Sequence, residues 1–243
     1  MDDAVKSYEQ ALAINPDYTE AHNNLGIAHK ELNQLDDAVK SYGQAFAINP
    51  DYAEAHYNLG IAHKELNQLD DAVKSLEKAL AINPDFAEAH YNFGGALEGL
   101  GQLDEALASY DRAIAINPDI NFILGVLLHT KMHLCIWDDL ENRLNELTKK
   151  INNGEKVITP FALLGLIDDP GIQRKNAEIY ANEEHPKSHI LSKIERYPKH
   201  KKIRIGYFSA DFRDHPVAHL TAELYEIHDR ERFEIHAFSF RTY

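Results

Sequence analysis

Residues 53–86 read AEAHYNLGIAHKELNQLDDAVKSLEKALAINPDF, and this stretch decides the fold. The same pattern occupies residues 19–52 and 87–120, so the chain repeats itself every 34 residues. One pair of residues marks the period: Asn15-Pro16, Asn49-Pro50, Asn83-Pro84 and Asn117-Pro118. Because proline cannot continue a helical hydrogen-bond ladder, each pair predicts the end of a helix. The sequence therefore predicts three stacked copies of one helical unit.

Each copy places small and large side chains at fixed positions. The first predicted helix carries Gly26, Gly60 or Gly94, although a glycine costs about 1 kcal/mol of helix propensity. The second helix carries Tyr42, Leu76 or Tyr110, with Tyr8 at the same position of a preceding partial copy. Alanines fill the remaining small positions: Ala21, Ala55 and Ala89, then Ala38, Ala72 and Ala106, then Ala45, Ala79 and Ala113. Small side chains on one helix that face large side chains on the other predict closely packed helices. A 34-residue period is typical of tetratricopeptide repeats, which are pairs of antiparallel helices.

The chain begins in the middle of such a repeat. Met1 stands where later copies have Leu35, Leu69 and Leu103, so residues 1–18 correspond to a second helix without its partner. End repeats normally carry a polar cap, whereas this helix is expected to expose an apolar face. A naturally short cap and a truncated coding region both explain this start, and we expect truncation.

An asparagine recurs at one position of each first helix: Asn24, Asn58 and Asn92. In tetratricopeptide arrays this face lines the concave groove. An amide both donates and accepts, so a row of amides can bind the main chain of an extended peptide without reading its side chains. The sequence therefore predicts a peptide-binding row, and the alternative is that these amides only pack or are solvated. Glu20, Glu54 and Glu88 make the same face acidic. Capture of a C-terminal carboxylate needs Lys or Arg there, which argues against a chaperone-tail adaptor.

Histidines also recur, as His22, His56 and His90 at one position and His29 and His63 at another. Repetition of this kind suggests metal binding. Large aromatic residues usually occupy these positions in the repeat, and histidine can replace them as a flat, half-polar ring. We therefore expect packing rather than a metal site.

Composition limits the function further. Residues 1–120 carry 21 acidic and 7 basic residues, so the net charge of −14 lies in the first half. This charge argues against nucleic-acid binding and against docking on an anionic membrane. There is no run of 18 apolar residues, and the acidic residues at the start of the sequence do not predict a secretory signal. The lone Cys135 fits a reducing, cytoplasmic compartment. Nothing in the sequence indicates the oligomeric state.

The period ends at Pro118, and residues 121–201 predict a helical connector and linker. Helices are predicted over residues 140–151 and 172–182, followed by a polar linker over 183–202. Residues 202–209 and 233–240 predict strands, with a helix over 216–228 between them. Strand, helix and strand predict the first βαβ unit of a Rossmann-like domain at residues 202–243. The predicted fold class is thus mainly α, an α-solenoid followed by the beginning of an α/β lobe.

Residues 204–220 read RIGYFSADFRDHPVAHL. The chain resembles the O-linked N-acetylglucosamine transferase family, which includes the SPINDLY-type proteins, and the resemblance covers the repeats, the connector and this motif. The family pattern Ser-x-Asp-Phe, then His-Pro-x-x-His-Leu, is matched by Ser209, Asp211, Phe212, His215, Pro216, His219 and Leu220. The resemblance implies a two-lobed inverting glycosyltransferase. Such an enzyme moves a sugar from UDP-N-acetylglucosamine to Ser or Thr of a protein held by the repeats. It needs neither a catalytic metal nor a tightly bound cofactor.

By resemblance His215 lies at the active site as a candidate base, with His219 and Asp211 as further candidate catalytic residues. Histidine titrates near neutral pH, and His215 is predicted at a loop-to-helix junction after a parallel strand, where α/β folds bind ligands. The alternatives are a helix cap for His215, packing for His219 and a plain turn for Asp211. A zinc pair formed by the two histidines, which lie four residues apart, lacks an evident third ligand.

The sequence lacks a glycine-rich phosphate loop and the second lobe that holds the nucleotide sugar in the family. We therefore expect the chain as given to be inactive by itself. The rival interpretation is a non-enzymatic scaffold that binds proteins through its repeats.

Overall fold

A computed structural model describes residues 2–184, 200–209 and 216–239. The chain divides into two compact units, Met1–Lys187 and Ser188–Tyr243. The first is a helical array and the second contains two strands and a helix, which confirms the predicted mainly α fold class. The boundary predicted at residue 120, between the repeats and the connector, lies inside the first unit. No helix among the described residues is both long and apolar enough to cross a membrane.

Seven helices form the repeats: α1 (Asp2–Ile14), α2 (Thr19–Glu31), α3 (Leu35–Ile48), α4 (Ala53–Glu65), α5 (Leu69–Ile82), α6 (Ala87–Gly99) and α7 (Leu103–Ile116). Helices α2 and α3, α4 and α5, and α6 and α7 pack as pairs, and each pair packs on the next. Helix α1 packs against α2 as an unpaired second helix. The helices follow the 34-residue period of the sequence.

The close approach within each pair depends on the repeated glycine. A Cβ atom built on Gly60 would lie 2.6 Å from Leu76 Cγ, and one on Gly94 would lie 2.6 Å from Tyr110 Cε1. A Cβ atom on Gly26 would likewise lie 2.5 Å from Tyr42 Cε1. No real Cβ tolerates such distances, so only glycine fits. The buried tyrosine or leucine therefore packs directly on the backbone of the first helix, and the loss of helix propensity is offset by this contact.

One residue of the turn inside each helix pair has a left-handed backbone conformation. Asn33 and Asn67 have φ of 59°, and Gly101 takes the same place with φ of 77°. The backbone N–H of Gln34 then donates to His29 O at 2.9 Å, closing the end of α2. Asparagine and glycine are the residues that adopt this conformation at least cost, which explains their recurrence.

Four further helices make the connector: α8 (Ile123–His133), α9 (Leu140–Asn152), α10 (Pro160–Leu164) and α11 (Pro170–Glu184). Helix α8 packs on α7, so the array continues into the connector. The core of the connector is one cluster of buried apolar residues: Leu124, Leu128, Leu147, Ile151, Val157, Ile158 and Leu163. The predicted helices over 140–151 and 172–182 are present, and the second is longer at both ends. Most of the predicted linker, residues 185–199, lies outside the described residues.

In the second unit β1 (Ile203–Ser209) pairs in parallel with β2 (Phe233–Ser239), and α12 (Pro216–Glu226) connects them. The Tyr207 ring contacts Tyr225 of α12 at 4.7 Å between centroids, so α12 covers that face of the sheet. The Phe208 and Phe238 rings stack at 4.6 Å on the other face, and both are exposed within this unit. Strand, helix and strand therefore form the predicted βαβ unit.

We expect Gly60→Ala to destabilise the array by about 1–3 kcal/mol, because the new methyl group overlaps Leu76. Gly43→Ala is the matched control. Gly43 also lies inside a helix, α3, but a Cβ there meets nothing nearer than 4.0 Å. This control should gain about 0.5–1 kcal/mol from helix propensity. Urea unfolding followed by circular dichroism measures both, and equal shifts in the two variants would contradict the packing argument.

Candidate functional site

The first helices of the repeats form one continuous face of the first unit. Helix α2 contacts α4, and α4 contacts α6. Asn24, Asn58 and Asn92 lie at the same position of these helices, and all three are half-buried. The structure therefore brings the predicted peptide-binding residues into one row, which we call the asparagine row.

Two members of the row are hydrogen-bonded to the preceding repeat. Asn58 Nδ2 donates to Asn23 Oδ1 at 2.9 Å, and Asn92 Nδ2 donates to the Tyr57 hydroxyl at 3.2 Å. Both bonds join residues 35 positions apart, so they link neighbouring repeats. Asn24 makes no such side-chain bond to any residue that the structure describes. The row thus contributes to repeat stacking as well as to the exposed face.

Asn92 is the most constrained amide. Its Nδ2 also donates to Glu88 O at 3.0 Å, and its Oδ1 accepts from Lys64 Nζ at 2.7 Å. A lysine can only donate and a carbonyl can only accept, so the Asn92 oxygen must face Lys64 and its nitrogen must face Glu88 O. Asn92 is therefore held in one orientation before any ligand arrives.

Lys64 belongs to this site although the sequence pattern did not predict it. Burial lowers the pKa of its ammonium group, and the neighbouring Glu65 opposes that shift. Lys30 occupies the equivalent place one repeat earlier, 3.9 Å from Glu65 Oε1. The row was expected to lack a basic residue that could capture a C-terminal carboxylate, but Lys64 supplies a cation beside it. The residue types alone therefore no longer exclude capture of a C-terminal carboxylate.

An open hollow of about 460 Å³ adjoins Asn92. Tyr57, Tyr91 and Glu88 line it together with the loop of residues 117–122. Burial raises the pKa of both tyrosine hydroxyls, so they remain protonated donors at neutral pH. Aromatic walls with a few polar groups suit a side chain of a bound peptide.

The repeat histidines are hydrogen-bonded within the array. His22, His56 and His90 each place Nε2 at 2.9–3.0 Å from the carbonyl oxygen of the proline six residues earlier. Because a carbonyl only accepts, Nε2 must carry the proton there. His29 and His63 place Nδ1 at 2.7 Å from a glutamine Oε1. The His56 ring also stacks on Phe46 at 5.0 Å. These contacts agree with a packing role for the repeat histidines.

The candidate catalytic residues are placed only in part. Asp211 and His215 lie outside the described residues. His219 lies on α12, close to its N-terminus, and is exposed. Helix α12 follows β1, whose last residue is Ser209. The catalytic roles of these residues, and the zinc pair of His215 and His219, stay predictions.

Family comparisons match both parts of the chain. Residues 1–33 and 29–67 match the TPR repeat family, and residues 57–119 match the tetratricopeptide repeat family. Residues 179–242 match glycosyl transferase family 41. The segment that carries the predicted catalytic motif therefore matches a glycosyltransferase family, in the same chain as the repeats.

A curated relative resembles part of this chain. The chain is 29% identical over 131 residues to the probable UDP-N-acetylglucosamine–peptide N-acetylglucosaminyltransferase SEC of Arabidopsis thaliana. The match covers 46% of this chain and spans 13% of the length of that relative. Together with the family matches, it confirms the resemblance to O-linked N-acetylglucosamine transferases.

Solved structures of MamA share the fold. One is 24% identical with a TM-score of 0.58 and covers 63% of this chain and 89% of that one. Another, residues 41 to the end of MamA from Desulfovibrio magneticus RS-1, is 20% identical with a TM-score of 0.56. That match covers 61% of this chain and 84% of the other. At this identity the likeness concerns the helical repeat fold alone.

Without any ligand, we expect Asn58→Ala and Asn92→Ala each to destabilise the array by about 0.5–1.5 kcal/mol, because each removes a bond between repeats. Asn24→Ala should change the stability by less than about 0.5 kcal/mol. Urea denaturation of the three single variants checks this order. An equal loss at all three positions would show that the bonds between repeats do not govern the effect.

Proposed function

We propose that this chain is part of a protein O-glycosyltransferase. In this proposal the enzyme transfers N-acetylglucosamine from UDP-N-acetylglucosamine to Ser or Thr hydroxyls of proteins that the repeats bind. One observation carries the proposal: an array with an asparagine row, in which Asn92 is held in one orientation, precedes in one chain a segment that matches glycosyl transferase family 41. Tetratricopeptide repeats are protein-interaction modules, which supports a protein as the acceptor.

The asparagine row would bind the acceptor through its main chain. An extended peptide offers one N–H and one C=O per residue, and an amide can satisfy both. Asn92 already donates both of its N–H groups, to Tyr57 and Glu88, so it would accept a peptide N–H through the remaining lone pair of Oδ1. Because this amide is oriented in advance, little side-chain entropy would be lost on binding. The adjoining hollow, walled by Tyr57 and Tyr91, would accept one peptide side chain.

The sugar transfer would require a base for the acceptor hydroxyl. His215 is the candidate, since a neutral imidazole accepts a proton near pH 7. His219 and Asp211 are candidates for orienting it or the substrate. The donor would be UDP-N-acetylglucosamine as a substrate, with no tightly bound cofactor. A reducing cytoplasm remains the expected compartment, because Cys135 is the only cysteine and is exposed.

The peptide-binding part is tested with the triple variant Asn24→Ala, Asn58→Ala and Asn92→Ala. The probe is a pool of fluorescent nine-residue peptides with a central serine and randomised flanks, measured by anisotropy. We expect at least about tenfold weaker binding, since three amide contacts are removed. Asn142→Ala on α9 is the control, because that amide bonds only to the nearby Asp139 among the described residues. Unchanged affinity in a folded triple variant would reject the row as the binding site.

Blocking the peptide C-terminus separates two binding modes. Amidated peptides should bind as well as free acids if the row reads the main chain. A large loss on amidation, removed by Lys64→Met, would instead point to carboxylate capture by Lys64 and to an adaptor role. Lysine binds a carboxylate through its charge, so the substitution isolates that contribution.

The catalytic part is tested in the protein at its natural full length. We expect His215→Ala to lower kcat by about 10²–10⁴ while KM for the nucleotide sugar changes little. The acidic limb of the pH–rate profile, near the usual histidine pKa of about 6.5, should disappear as well. Near-normal turnover would remove His215 from the mechanism. No transfer by the unmodified full-length protein would favour the scaffold interpretation.

A further inference from the structure

Three metal-binding side chains converge where the repeats meet the connector. Glu98 on α6 and His129 and His133 on α8 place one ligand atom each within 4.8 Å of one another. His129 Nδ1 lies 3.7 Å from Glu98 Oε1, and the two imidazole rings are 4.3 Å apart. Glu98 and His129 are half-buried and His133 is exposed. We call these residues the junction cluster.

The helix geometry explains why the two histidines meet. They are four residues apart in α8, so they lie one turn apart on the same face. Glu98 comes from the last turn of the final first helix of the array. The three ligands therefore come from two helices that are distant in sequence.

Glu98 is oriented by a buried partner. The Tyr110 hydroxyl donates to Glu98 Oε2 at 2.8 Å, while Oε1 is the oxygen nearer His129. Tyr110 is 1% exposed, and its burial and the neighbouring Glu98 carboxylate raise its pKa, so the hydroxyl keeps its proton. A hydrogen-bonded partner behind a ligand is the usual arrangement of protein metal sites.

The side-chain charge at the repeat position of Glu98 is reversed in the third copy. The equivalent residues are Lys30 and Lys64, which contact Glu65 and Asn92 of the next repeat. The third copy has a carboxylate instead, at the place where the neighbouring helix is the connector helix α8. The carboxylate thus appears only where two histidines face it.

We propose that the junction cluster binds one zinc ion, which joins α6 to α8 and fixes the connector to the repeats. Two imidazoles and one carboxylate are a donor set that zinc accepts, with water as the fourth ligand. Ligands of one tetrahedral zinc lie about 3.3 Å apart, given bond lengths of about 2.0–2.1 Å. Glu98 Oε1 and His129 Nδ1, at 3.7 Å, are already near that separation, and the three ligand atoms, with that of the exposed His133, all lie within 4.8 Å of one another.

Zinc binding would stabilise the first unit. The imidazoles bind zinc in their neutral form. A ligand that binds only the folded state raises its stability by mass action. This role is structural and separate from the sugar transfer proposed above.

The test is calorimetric titration of the chelator-treated chain with zinc chloride. We expect one ion per chain at the junction cluster, and at least about tenfold weaker binding in His129→Ala and in His133→Ala. His63→Ala and His219→Ala are the matched controls, because they remove histidines elsewhere, including one of the pair in the glycosyltransferase segment. Circular dichroism confirms that each variant folds.

Tyr110→Phe gives a second, independent readout. It removes only the hydroxyl that orients Glu98, and it should weaken zinc binding by about 10–100-fold. Zinc should raise the Tm of the unmodified chain but not that of His129→Ala. Equal affinity of the unmodified chain and both cluster variants, or a loss seen only in His219→Ala, would overturn the proposal.

Discussion

The contact between a glycine and a large buried ring or leucine determines the geometry of every repeat. A Cβ atom on Gly26, Gly60 or Gly94 would lie 2.5–2.6 Å from Tyr42, Leu76 or Tyr110, so the same close contact recurs in all three helix pairs. Helices held at one distance by one kind of contact form pairs of one shape. Identical pairs stack by one transformation, so a residue that recurs in sequence recurs along a line in space. The asparagine row depends on this regularity.

Stability and recognition share residues on that line. Asn58 and Asn92 link neighbouring repeats, while their position places them on the face where a peptide would bind. A half-buried polar bond of this kind also fixes the register between repeats, because a shifted repeat would leave the amide without its partner. The same bonds hold the amides still, which lowers the entropic cost of binding a flexible chain.

The sequence predicted what depends on local pattern and period. The 34-residue spacing, the glycine contacts, the ends of helices at Asn-Pro and the βαβ unit all follow from residues near one another. Lys64 and the junction cluster were missed, because their partners are 28 to 35 residues away and meet only after the helices stack. One signal for the cluster was present in the sequence. The change from Lys30 and Lys64 to Glu98 breaks the repeat at the last copy.

Recognition by the main chain fits the chemistry that we propose for the second unit. Binding energy spent equally on substrate and transition state does not lower the barrier of the chemical step. A row of amides can still raise the local concentration of an acceptor hydroxyl, and it does so for many sequences. Selection of one serine must then come from the groups around the transferred sugar. The repeats would thereby admit many proteins, and the glycosyltransferase segment would decide which hydroxyl reacts.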